Sequence, residues 1–113
     1  MKRPFVYIAG TGRGLPDTVF TNADFATIGI ETTDEWIVER TGIKQRHLAR
    51  TESATDLAAA AAREAMTKAK TQPGEVDLIV VGTASPDRLL PSAAVDLQAA
   101  LGASRAAAFD VGA

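Results

Sequence analysis

The stretch that most constrains the fold is Val76-Asp77-Leu78-Ile79-Val80-Val81-Gly82, set off by the turn pair Pro73-Gly74. A short run of β-branched and aliphatic residues with little polar alternation suits a buried strand of a parallel sheet. Parallel neighbours need a crossover, usually a helix, so helices are expected on either side. Ser53 or Thr55 opens the longest helix, which runs to about Lys70. Lys68 and Lys70 lie in its last turn, where the helix dipole favours cations. Ser92 caps a helix to Leu101, Gly102 sits at its end, and Ala106 to Val111 reads as a final strand.

Upstream, Phe5 to Ala9 reads as another buried strand, broken by Gly10-Thr11-Gly12-Arg13-Gly14 and Pro16. Thr21-Asn22-Ala23-Asp24 has the form of a helix start, for a short helix that Gly29 interrupts. Thr32 and Glu35 have capping-box spacing for the next helix. Asp34 and Glu35 meet the positive end of its dipole, and Gly42 ends it. Gln45 to Leu48 suggests a short strand. The order strand, helices, strand, helix, strand predicts an α/β layered fold with a largely parallel sheet.

Composition bounds the chemistry. The chain has 113 residues, one domain's worth or a piece of a larger one. Its apolar content is 46%, but alanine dominates, so each buried side chain removes little area from water. A net charge of −2 argues against a general nucleic-acid binder. The absence of Cys excludes a disulfide scaffold, a thiolate metal site and a cysteine nucleophile within these residues. A single His, His47, cannot build a His-rich metal site. No apolar run is long enough for a membrane span, and the apolar stretch near the N-terminus reads as too short for a signal peptide. A soluble, cytoplasmic chain is the expectation.

Several motifs fail on inspection. Gly10-Thr11-Gly12 after a strand invites a dinucleotide fingerprint, but Leu15 stands where the third Gly belongs and Pro16 follows. The glycines read instead as a tight turn needing positive φ. His47 reads as a structural or surface residue, because Ser53, Ser85 and Ser92 lie in cap or loop settings. Asp34, Glu35 and Asp56 each have a helix-start explanation. Trp36 and Arg40 stand four apart, so they share a helix face; by spacing alone they read as a packed ring and a surface charge.

A resemblance carries further. Gly10-Thr11-Gly12, Leu15-Pro16, Thr21-Asn22-Ala23-Asp24 and the block Thr33-Asp34-Glu35-Trp36-Ile37-Val38-Glu39-Arg40-Thr41-Gly42-Ile43 occur in that order. Arg46-His47, Asp77-Leu78-Ile79-Val80-Val81, Pro91-Ser92-Ala93-Ala94 and Ala108-Phe109-Asp110-Val111 follow. Together they resemble the N-terminus of β-ketoacyl-ACP synthase III. The resemblance implies a thiolase-like αβαβα fold, a homodimer, and a chain covering the front part of such an enzyme. It implies acyl-CoA and malonyl-ACP (acyl carrier protein) as partners and no resident cofactor, with coenzyme A entering as substrate. It implies that residues 1–113 carry no catalytic residue: the family's Cys is expected shortly after Ala113, and its His and Asn later.

The resemblance also assigns binding roles. Trp36 matches the family residue that stacks on the adenine of coenzyme A, Arg40 a neighbouring cation, and Thr32 a residue beside the same nucleotide. Leu90 matches a residue that reaches across the dimer into the partner's acyl pocket, where Phe is common. Two other functions remain open: a synthase III-like acyltransferase of secondary metabolism, and a non-catalytic binding or assembly module.

Overall fold

Caps set the helices of this chain. The computed structural model describes residues 5–112, which fall into two compact units: residues 5–14 with 53–112, and Leu15–Glu52.

In the first unit, α2 (Ala54–Ala69) begins at Ser53, whose hydroxyl accepts from the Asp56 N–H while the Asp56 carboxylate accepts from the Ser53 N–H at 2.9 Å. That is the reciprocal capping box, which satisfies two donors a helix start otherwise leaves bare. A second carboxylate joins from outside the helix. Asp87 accepts from the N–H groups of Ala54 and Thr55 at 2.7 and 2.9 Å and from the Thr55 hydroxyl at 2.6 Å. A single 3-10 turn (Pro73–Glu75) leads to β3 (Leu78–Gly82), then α3 (Ala93–Leu101) and β4 (Ala107–Val111). β3 and β4 pair in parallel, Leu78 opposite Ala107 through Gly82 opposite Val111. Asp110 of β4 accepts from the N–H groups of Ala93 and Ala94 at 2.8 and 2.7 Å, tying the strand's end to the start of α3. The core of the unit is Ala59, Ile79, Ala94, Leu97, Ala103 and Ala106.

The second unit holds β1 (Val19–Thr21), a 3-10 helix (Asn22–Ile28), α1 (Asp34–Thr41) and β2 (Gln45–His47). β1 and β2 pair antiparallel, Val19 opposite His47. Gly29 and Gly42 close the two helical segments at φ of 76° and 71°, where residues with a Cβ are strained.

The α/β class, the parallel pairing, the Ser53 and Ser92 caps and the αL glycines agree with the sequence. Four expectations change. Phe5 to Ala9 forms no strand and is not buried: Phe5 and Val6 are both 95% exposed, and no described strand lies beside them to complete a ladder. The run Val76 to Gly82 shortens to Leu78–Gly82 and is covered on one face only. Ile79 faces the core, whereas Leu78, Val80, Phe109 and Val111 are about half exposed. Thr33, not Thr32, caps α1, by accepting from the Trp36 N–H at 3.1 Å.

The fourth change concerns Gly10, Gly12 and Gly14, none of which has positive φ. A Cβ on each would stand 2.4, 2.0 and 2.1 Å from the carbonyl oxygens of Ala65, Ala61 and Leu57. The tract therefore runs against the backbone of α2 in the opposite direction. The match is geometric: two extended residues advance about 6.6 Å and four helical residues about 6 Å. Alternate glycines therefore meet every fourth residue of the helix, and glycine is needed here for close approach rather than for a turn. Among the described residues no helix is long and apolar enough to cross a membrane.

Gly12→Ala should destabilise the first unit by about 1–3 kcal/mol, the usual cost of overpacking a site that cannot yield. Gly74→Ala, where a Cβ meets nothing within 4 Å, serves as the control in thermal unfolding. Equal midpoints for the two variants would refute the close-approach account.

Hydrogen bonds from the Thr55 hydroxyl, the Thr55 N–H and the Ala54 N–H hold the Asp87 carboxyl below its ordinary value of 3.8. A depressed folded value means stability that is complete above pH 3.8 and declines as pH falls through the folded value. Asp87→Asn should remove that part of the acid dependence of α2 in a pH series of melts, and an unchanged acid limb would count against the cap.

Candidate coenzyme-binding site

The local sequence makes α1 a short helix with one buried face residue. Thr33 caps it, Asp34 and Glu35 fill its first turn, Arg40 lies in its last, and Ile37 is its single buried side chain. With Ile37 turned inward, Trp36 is left half exposed at 53%. Arg40, one turn on, lays its guanidinium over the Trp36 ring at 4.3 Å from the centroid and donates to the Trp36 carbonyl at 3.4 Å. Its pairing with Glu39 at 3.9 Å is on the surface and contributes little. The result is a preorganised plate: an aromatic face carrying a cation.

Trp36 also lines an open cleft of about 410 Å³ with Phe25, Ile30, Glu31, Thr32, Thr33 and Ile37. The structure thus brings Thr32, Trp36 and Arg40 together within the second unit. Thr32 lies on the cleft wall, freed from capping by Thr33. A largely apolar cleft with a ring, a hydroxyl and a cation at its rim can take a flat heteroaromatic group that bears an anion.

Leu90 belongs to the other unit. It is 84% exposed beside an 87% exposed Leu89, in the segment between β3 and α3. Hydrogen bonds fasten that segment just ahead of the two leucines. Asp87 holds the start of α2, and Arg88 forms a fork on Asp96 of α3 at 3.0 and 2.7 Å. His47 makes a structural contact: its Nδ1 lies 2.6 Å from the Pro16 carbonyl oxygen.

Sequence reasoning missed Asn22. It is the one buried polar residue among those described, at 2% exposure. It also missed Arg46, whose guanidinium lies 4.8 Å from the Phe25 ring centroid and donates to the Asn22 side-chain oxygen at 2.7 Å. The nearest sequence signal was the Thr21–Asp24 cap. There the Asp24 carboxylate accepts from the Thr21 N–H and hydroxyl at 2.6 and 2.8 Å, which hold its carboxyl below the usual value.

The chain is 55% identical over 105 residues to a β-ketoacyl-ACP synthase III of Rhodospirillum centenum, covering 92% of this chain and 32% of the relative. It is 52% identical over 113 residues to the synthase III of Xylella fastidiosa, covering 99% and 35%. Among solved structures, the synthase III of Aquifex aeolicus superposes with a TM-score of 0.89 at 46% identity, over 94% of this chain and 34% of that one. A priming β-ketosynthase of a polyketide pathway superposes at 0.88 and 36%, over 94% and 32%. No protein-family model matches the chain.

The fold is therefore that of a segment of the thiolase-like condensing enzymes. More narrowly, over the residues it spans the chain is similar to β-ketoacyl-ACP synthase III enzymes. It spans about a third of the length of the relatives it matches.

Proposed function

We propose that this segment supplies the coenzyme A subsite of a β-ketoacyl-ACP synthase III that joins acyl-CoA to malonyl-ACP, starting fatty-acid or polyketide synthesis. The observation that carries the proposal is the Arg40–Trp36 stack at 4.3 Å on a cleft that includes Thr32. It lies in a segment that is 55% identical to a synthase III. In this reading the adenine packs on the Trp36 face, Arg40 faces a nucleotide phosphate, and the Thr32 hydroxyl hydrogen-bonds at the edge. Residues 1–113 form the N-terminal part of the enzyme.

The chemistry belongs to a cysteine outside these residues. Its thiolate attacks the acyl-CoA thioester and releases coenzyme A as the thiol. Malonyl-ACP loses CO2, and the resulting carbanion attacks the acyl-cysteine thioester. A carbon–carbon bond forms, the cysteine thiolate leaves, and β-ketoacyl-ACP is the product. β4, anchored through Asp110 to α3, leads toward that cysteine. In a homodimer, Leu90 enters the partner's acyl pocket. The reading as an acyltransferase of secondary metabolism keeps the same subsite and differs in the acceptor. A non-catalytic module is disfavoured by the open apolar face of β3 and β4, which needs a covering layer.

In the intact enzyme, Trp36→Ala should raise KM for acyl-CoA about tenfold or more, because stacking on a base is worth roughly 1–3 kcal/mol. kcat at saturating acyl-CoA should change little. Steady-state kinetics with acyl-CoA varied at fixed malonyl-ACP make the check, and an unchanged KM would remove Trp36 from the site.

Leu90→Phe should shorten the longest acyl chain accepted, since a ring fills more of the pocket. Relative kcat/KM across a series of acyl-CoA lengths should shift by about tenfold per lost methylene fit. An unaltered profile would place Leu90 outside the pocket.

A further inference from the structure

Helix α1 has little to hold it. Its eight residues span about 12 Å, a length marginal for an isolated helix, and Ile37 is its single buried side chain. Yet Trp36 and Arg40 must be presented in fixed register to act as one plate. The group that meets this need lies outside the helix. The Asn22 side-chain amide is buried and uses both hydrogens and its oxygen. Nδ2 donates to Oδ1 of Asp34, the first residue of α1, at 2.8 Å and to the carbonyl of Ile43, just past the helix's Gly42 cap, at 2.7 Å. Oδ1 accepts from Arg46 of β2 at 2.7 Å, and the Asn22 N–H donates to the Lys44 carbonyl at 3.3 Å.

We infer that Asn22 is a positioning residue for the coenzyme subsite: one buried amide spans α1 from its first residue to the turn beyond its last and so fixes Trp36 and Arg40. The inference rests on the coenzyme reading of Trp36 and Arg40. Asn22 bonds to Asp34, Ile43 and Arg46 and acts on the plate through the helix. If either tie is lost, α1 spends part of its time displaced, and apparent affinity falls by the fraction of molecules in the competent arrangement. An amide is suited to the task. It can donate twice and accept once at the same point, whereas a carboxylate there would face the Asp34 carboxylate and the Ile43 carbonyl with no donor.

The test is the Kd of coenzyme A for the intact protein, measured by isothermal titration. Asn22→Asp, nearly the same shape, should raise Kd about tenfold, a competent fraction cut to about a tenth. Because a change at a buried site can prevent folding, a second pair works from the exposed end. Asp34→Ala and Asp34→Asn lose the same charge, but only Asn keeps an oxygen for Asn22 Nδ2. Kd for the Ala variant should exceed that for the Asn variant by about fivefold, the scale of one hydrogen bond. Equal Kd values for the pair, with the wild-type protein binding normally, would overturn the positioning role and leave the coenzyme reading standing. If the wild-type protein and Trp36→Ala alike give no binding heat, the coenzyme reading fails and this inference falls with it.

Discussion

The plate of Trp36 and Arg40 depends on a hydrogen-bonded amide more than on apolar burial. α1 places one side chain in the interior, so packing contributes little to its position. Asn22 compensates with directional bonds, which fix orientation where a patch of apolar contact would allow sliding. A fully satisfied buried amide costs little on balance, but leaving one of its hydrogens unpaired carries a desolvation penalty of about 1–3 kcal/mol. The site is therefore held by an arrangement in which a single lost partner is felt.

Much of the fold was legible because caps and stops are local. Ser53 with Asp56, Ser92, and the glycines at 29, 42 and 102 announce helix limits through chemistry confined to a few residues, and the structure agrees. Thr32 and Thr33 show the limit of such signals. Both can cap, and only the path of the chain decides that Thr33 accepts from Trp36 while Thr32 is left on the cleft. The strand expected over Phe5 to Ala9 rested on composition alone, but a strand exists only where a neighbour pairs with it. The glycines of residues 10–14 were visible, yet their reason was not. A sequence shows that a Cβ is absent; it does not show that the backbone of α2 fills the place. Asn22 gave least warning. An Asn after a Thr at a helix start looks like ordinary cap chemistry, and its three long-range partners have no local trace.

The site was legible in a different way. Spacing put Trp36 and Arg40 on one face, but spacing equally allowed a packed ring and a stray charge. Only the family resemblance pointed to a nucleotide. The structure supplies what spacing lacked, a ring left outward because Ile37 is inward, with the cation already seated on it. The first unit differs in kind: its core is mainly alanine, so it gains close contact between backbones more than buried area. The alternating glycines and the alanine faces of α2 serve the same end, since both let main chains approach where larger side chains would hold them apart.

Trp36 is the one tryptophan in the chain. Its indole is half in water and lies beneath a guanidinium, so its near-ultraviolet emission originates at the cleft itself. A heteroaromatic group arriving on that ring would quench it, and loss of α1 would move it to longer wavelength. The segment thus carries an optical reporter of its own, at the place where occupancy and helix position are both read.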